Sequence, residues 1–119
     1  YKIILIENLL ASKELYIARY YLQKEKWIPA INRLKTILKI YDETIYVEEA
    51  IHRLVEVYYK IGLEEESKKY AKLLGYNYLS SSWYEESYKV FNKNYLNPKD
   101  QIKKNKKNKI IKTFKSLLD

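Results

Sequence analysis

The chain has 119 residues, which is enough for one domain with its own hydrophobic core. It contains no Cys, so disulfide bonds and Cys-based metal sites are excluded. No apolar run is longer than Ile3 to Ile6, far short of the roughly 20 residues that a membrane-spanning helix needs.

The positive charge is concentrated at one end of the chain. The formal net charge is +8, and residues 99–119 alone hold eight Lys against two Asp. The tail therefore carries +6, and the first 98 residues carry only +2. A nucleic-acid-binding repeat would spread Lys and Arg along one face, so this distribution disfavours that function.

Apolar residues recur every three or four positions, and only two Gly and two Pro interrupt the chain, so the pattern predicts an all-helical protein. The first helix runs from near the N-terminus to about Lys24, and the second from about Trp27 to Tyr41 with Pro29 in its first turn. The apolar stripe predicted for the first helix consists of Ile3, Ile6, Leu10, Ile17, Ala18, Tyr21 and Leu22.

Three more helices follow, and small residues mark their ends. The third covers about 46–61 and ends at Gly62, a natural left-handed cap, while the fourth covers about 63–74 and is predicted to end at Gly75. Ser80, Ser81 or Ser82 begins the fifth, which runs to about 94 before Asn97-Pro98 stops it.

The helix pairs repeat with a shift of 37 residues, slightly more than the usual period of about 34 for tetratricopeptide repeats. The shift aligns Tyr21 with Tyr58, and the small residues Ala30 and Ser67 at the point where paired helices approach. The predicted fold class is all-α, with tetratricopeptide-like helix-turn-helix repeats forming a short right-handed superhelix over residues 1–95. Further repeats are expected before Tyr1, because such units bury their faces against neighbours.

Residues 96–119 form a separate basic tail in this interpretation. We expect a short amphipathic helix at about 109–118 that folds only when it docks, since about ten residues are too few for a stable isolated helix. The end of the superhelix is the first candidate surface, followed by a partner protein or an anionic membrane.

Five sequence segments resemble the BamD family of outer-membrane assembly lipoproteins. They occur in the family's order and spacing, and the resemblance covers about residues 5–92. The segments are ARYYL at 18–22, AINR at 30–33, VEEA at 47–50, LLGYNY at 73–78 and SWY at 82–84.

The resemblance implies a protein-binding scaffold at the periplasmic face of the outer membrane. Such a scaffold docks onto the periplasmic domains of BamA and the accessory Bam lipoproteins, and it helps deliver unfolded outer-membrane proteins. The segments correspond to the C-terminal part of the family. The lipid-attached Cys and the early repeats do not occur in this sequence, so we expect any lipid anchor to lie outside it.

Arg33 is the strongest candidate for a partner contact. Arg is scarce here, with three against 20 Lys, and its planar fork of donors cannot be replaced by Lys. Arg33 lies beside the apolar arc of its helix with Thr36 and Ile40, and the resemblance places its Asn-Arg motif where the family is expected to meet BamA. The alternative is a solvated Arg whose stem covers apolar surface.

A second group of candidate partner-binding residues is aromatic and lies in or beside the loop between the fourth and fifth predicted helices: Tyr76, Tyr78, Trp83 and Tyr84. Their position in and next to a loop suggests that some aromatic area stays exposed.

The other charged residues are interpreted as structural. Arg19 and Arg53 are expected to pair within the chain, with acids such as Glu14, Glu49 or Glu56. His52 lacks the neighbours that a metal site requires. No nucleophile, base and orienting group can be assembled, so we predict no enzyme, cofactor or metal. The alternatives to the scaffold are a basic nucleic-acid-binding repeat and a generic cytosolic tetratricopeptide adaptor.

Overall fold

A computed structural model describes residues 2–78, 81–93 and 98–118, and the side chains of 98–100 are not among those described. Six helices and no strand occur in these ranges, which confirms the all-helical prediction. The helices are α1 (Lys2–Gln23), α2 (Trp27–Ile40), α3 (Val47–Lys60), α4 (Glu64–Tyr78), α5 (Ser82–Lys89) and α6 (Pro98–Leu118).

The helices α1 and α2 form one pair, and α3 and α4 form the next. Helix α3 lies at the centre and packs against α2, α4 and α5. The main core lies between the two pairs and includes the fully buried residues Leu34, Ile37 and Leu54. A second cluster, built on Val47, Ile51 and Leu74, joins α3 and α4 to the start of α5.

The turns inside the two pairs have the same geometry. Glu25 and Gly62, which the 37-residue shift aligns, are the residues with positive φ in the described chain, at 57° and 88°. The following N–H groups also match, since Lys26 donates to Tyr21 O and Leu63 to Tyr58 O, both at 2.9 Å. This is the hydrogen-bond pattern of a left-handed helix cap. The helix-pair repeat and the cap at Gly62 are therefore confirmed, whereas the handedness of the superhelix stays a prediction.

The prediction that Gly75 ends α4 is wrong, because α4 continues to Tyr78. A Cβ atom at Gly75 would overlap the ring of Tyr84 on α5. Gly75 therefore allows α4 and α5 to pack closely and does not form a turn. Its position inside a helix costs about 1 kcal/mol relative to Ala.

The predicted stripe of α1 is only partly buried. Ile3, Ile6 and Leu10 are 72%, 57% and 41% exposed. Helix α1 has 22 residues and α2 only 14, and the N–H of Ile45, beyond the end of α2, already donates to Asn8 Oδ1 at 3.2 Å. The residues before Asn8 therefore extend past α2, and the buried positions are Ala11, Leu15 and Ala18.

The last two helices differ from their predicted extents. Ser81 caps α5 as expected, since its Oγ accepts a hydrogen bond from the Trp83 N–H at 3.2 Å. Helix α5 ends at Lys89 and not near 94. Ser80, Asn97 and the predicted domain boundary at 95/96 lie outside the described residues.

Helix α6 begins at Pro98, well before the predicted start near 109. Proline suits the first position of a helix, and no further Gly or Pro interrupts the segment. Every residue from 101 to 118 is exposed, so the predicted docking on the end of the superhelix is not observed.

Candidate partner-binding surfaces

The first surface is the Arg33 edge, defined as Arg33, Thr36 and Ile40 along one side of α2. Arg33 Nη1 donates to both carboxylate oxygens of Glu14 on α1, at 3.2 and 3.1 Å. The Thr36 hydroxyl donates to Asn32 O at 2.9 Å, and Ile40 is 58% exposed. The edge thus combines a held guanidinium with an open aliphatic side chain.

The side chain of Arg33 is 43% exposed, as expected for a residue beside the core. Its ion pair with Glu14 is not expected from the sequence, which places Glu14 among the acids that could pair with Arg19 or Arg53. The pair uses only Nη1 of the guanidinium. The other N–H groups make no hydrogen bond within the described residues, so they are available to an acceptor on another protein.

The four aromatic candidates do not form one surface. Tyr76 is 91% exposed on α4. Tyr78, Trp83 and Tyr84 pack against the second core cluster and join α5 to α3 and α4. Among the four, Tyr76 offers most of its side chain to a partner, and binding by any of them stays a prediction.

A polar chain connects α1, α3 and α5. At its first end, Arg19 on α1 pairs with Glu49 on α3. At its other end, His52 is 6% exposed, and its Nδ1 lies 2.8 Å from Ser87 Oγ on α5. The members in order are Arg19, Glu49, Arg53, Glu56, His52 and Ser87.

Arg53 and Glu56 form the middle of the polar chain. Arg53 Nη1 donates to Glu56 Oε1 at 3.1 Å, and the guanidinium lies 5.6 Å from the Trp83 ring centroid. His52 Nε2 lies 2.6 Å from the same carboxylate. The hydrogen bond to His52, with a smaller contribution from Arg53, lowers the pKa of Glu56. These contacts confirm that Arg19 and Arg53 pair within the chain, and the structural role of His52 stays a prediction.

A cleft of about 520 Å³ opens beside the polar chain. Lys60 Nζ lies 5.4 Å from the centroid of the Trp27 ring, so a cation and an indole stand together at its wall. Apolar walls with nearby charges suit a peptide segment that carries both kinds of side chain. The lining residues are Leu22, Trp27, Arg53, Glu56, Val57, Tyr59, Lys60 and Val90.

Sequence patterns do not indicate this cleft, because three segments far apart in the chain build it. Trp27 directly after a turn is the nearest signal, and periodicity assigns it to the core. Among the described residues, no group of three or more His, Cys, Asp and Glu side chains could hold a metal ion. None of the described helices is long and apolar enough to cross a membrane.

A comparison with protein families identifies the group to which the chain is related. The family described as "YfiO: Outer membrane lipoprotein" matches residues 1–74, which include α1 to α3, the Arg33 edge and most of the polar chain. The chain belongs to this family. The match ends before the aromatic candidates and before α6.

Curated relatives extend the similarity and share one name, outer membrane protein assembly factor BamD. The protein of Rickettsia prowazekii is 46% identical over 96 residues, which are 81% of this chain and 38% of that protein. The Caulobacter vibrioides protein is 40% identical over 97 residues, covering 82% of this chain and 32% of its own length. The Vibrio cholerae protein is 32% identical over 72 residues, or 60% of this chain.

The chain thus spans less than two fifths of the length of these YfiO-family relatives. No solved structure matches it significantly. The resemblance to the BamD family seen in the five sequence segments is confirmed, and with it the tetratricopeptide-like fold class.

Proposed function

We propose that this chain is a protein-binding scaffold in the assembly of outer-membrane proteins, acting without catalysis at the periplasmic face of the outer membrane. The observation that carries the proposal is the identity of 46% and 40%, over four fifths of the chain, with proteins named outer membrane protein assembly factor BamD. Paired helices around an apolar core supply the rigid surface that such a role needs.

The Arg33 edge is the proposed contact for the periplasmic domains of BamA. Glu14 holds one side of the guanidinium, which reduces the ordering cost when a partner carboxylate or carbonyl binds the other side. Ile40 adds exposed apolar area about two turns further along the same side of α2. The same edge can bind a partner's acidic and aliphatic side chains together.

Tyr76 is a separate proposed contact, for an accessory Bam lipoprotein, because it presents nearly all of its ring to solvent. The cleft beside Trp27 and Lys60 suits a segment of an unfolded outer-membrane protein. Both partners are proposed because the relatives are named as outer-membrane protein assembly factors. The cleft supplies apolar and charged groups that fit an unfolded chain.

The test is a pull-down of the periplasmic domains of the matching BamA with two charge-reversed variants. We expect Arg33→Glu to lose most of the bound BamA, and Lys39→Glu, the same charge change at another exposed position of α2, to retain it. Glu14→Gln releases the guanidinium and should bind more weakly than wild type, but less so than Arg33→Glu, because the ordering cost of the side chain is no longer reduced. Equal binding by Arg33→Glu and Lys39→Glu, both folded by circular dichroism, would reject the Arg33 edge as the contact.

A further inference from the structure

Helix α6 is a basic segment that the superhelix leaves uncovered. It spans 21 residues, which correspond to a length of about 31 Å at 1.5 Å per residue. Residues 101–118 are exposed throughout and contain seven Lys with no Asp or Glu. Many of these Lys are three or four positions apart, so their charges repel one another along the helix. A negatively charged surface would remove that repulsion.

The C-terminal half of α6 is amphipathic. Five large apolar side chains fall within an arc of about 120° at 100° per residue, and Lys109, Lys112 and Lys115 lie outside it. The five exposed fractions range from 42% for Ile111 to 80% for Leu117. The arc consists of Ile110, Ile111, Phe114, Leu117 and Leu118.

The N-terminal half of α6 has a different surface. Lys103, Lys104, Lys106 and Lys107 point in several directions around the helix, with Ile102 as the exposed apolar residue. The helix therefore joins a basic stretch to a basic amphipathic stretch. A peripheral membrane segment combines electrostatic attraction to anionic lipids with shallow apolar insertion in this way.

We infer that α6 binds the surface of an anionic phospholipid membrane. The apolar arc enters the boundary between headgroups and acyl chains, while the Lys side chains reach the lipid phosphates. A nucleic acid would neutralise the Lys but leave the five apolar side chains in water. A second copy of α6 would cover the apolar arc but bring the two sets of Lys together. A lipid surface accommodates both features.

Co-sedimentation of the full chain with vesicles tests the inference. We expect binding to vesicles of equal parts phosphatidylglycerol and phosphatidylcholine, no detectable binding to pure phosphatidylcholine, and loss of binding in high salt. No protein partner is present, so the result is independent of whether the Arg33 edge binds BamA.

Two variants and a control separate the contributions of charge and apolar area. Phe114→Ser with Leu117→Ser should lower binding at least about tenfold, and Lys109→Gln, Lys112→Gln and Lys115→Gln together by up to about a hundredfold at low salt. Ile102→Ser, outside the arc, should bind within about twofold of wild type.

Three results would overturn the inference. One is equal binding to neutral and anionic vesicles, and another is full vesicle binding by the Phe114→Ser, Leu117→Ser variant. The third is tight binding of a labelled single-stranded oligonucleotide by a chain that ignores the anionic vesicles, which would assign α6 to nucleic acid.

Discussion

Helices α3 and α6 both carry apolar residues at helical spacing, yet their surroundings are opposite. Helix α3 has 14 residues, eight of which are buried against its neighbours α2, α4 and α5. Helix α6 has 21 residues, and each described side chain from 101 to 118 is exposed. A helical pattern thus predicts which face of a helix is apolar, but not whether another part of the same chain buries that face. Helix α1 shows the same difference within one helix, because Ile3 and Ile6 in its N-terminal part are exposed while Leu15 further along is buried.

The largest expected effect comes from removing one Leu side chain from each helix, which tests whether α3 is packed and α6 is not. Leu54 on α3 is fully buried, and Leu117 on α6 is 80% exposed. We expect Leu54→Ala to lower the free energy of unfolding by about 2–5 kcal/mol. Leu117→Ala should change it by less than about 0.5 kcal/mol. Urea unfolding monitored by circular dichroism gives both values, and a similar loss in the two variants would show that α6 is packed in solution.

Gly75 tests how α5 is held against the second helix pair. The added Cβ of Gly75→Ala meets the Tyr84 ring, so we expect a loss of about 1–3 kcal/mol in unfolding free energy despite the better helix propensity of Ala. In a Tyr84→Leu background the same change should be much less harmful. Thermal unfolding measures both pairs, and a stabilising Gly75→Ala in the wild-type background would contradict the packing.

The two matched turns predict changes of opposite sign. Gly62 has a φ of 88°, and a Cβ added there would meet no atom within 4 Å, so Gly62→Ala should lose about 1 kcal/mol from backbone strain alone. Glu25 adopts a φ of 57°, and Glu25→Gly should gain up to about 1 kcal/mol. Chemical denaturation of the two single variants compares them directly. A destabilising Glu25→Gly would mean that its side chain, and not its backbone, decides the turn.

The smallest expected effect is the pH dependence of the polar chain. Because His52 and Arg53 lower the pKa of Glu56, its carboxylate stabilises the fold above its ordinary pKa of 4.5. That contribution is lost as the pH falls through the lowered pKa. We expect Glu56→Gln to be less stable than wild type at neutral pH by under about 1 kcal/mol, since Glu56 is partly exposed. Melting temperatures measured across this pH range should converge in acid, and a constant gap would exclude a role for the ionised form.

The predictable parts of this fold are local ones. Gly62 and Ser81 can be identified from capping preferences, which depend on a few neighbouring residues. The role of Gly75 cannot, because its reason lies in the ring of Tyr84, nine positions further along the chain. The exposure of Ile3 follows from the shortness of α2, which periodicity in α1 does not report.

The candidate surfaces are predictable to a similar degree. The position of Arg33 beside the core follows from its angle on α2, but its pairing with Glu14 requires the packing of α1 on α2. The cleft between Trp27 and Lys60 needs three distant segments to be brought together. The start of α6 at Pro98 escapes prediction because its Lys-rich segment has the composition of low-complexity sequence.

The most direct measurement of the scaffold proposal is a calorimetric titration of the periplasmic domains of BamA into wild type and into the double variant Glu14→Arg, Arg33→Glu. The exchanged charges keep the ion pair between α1 and α2, so the melting temperature should stay close to that of wild type. We predict that the affinity nevertheless falls at least about tenfold, because the guanidinium is no longer on α2. A double variant that folds normally and binds BamA as tightly as wild type would contradict the proposed role of the Arg33 edge.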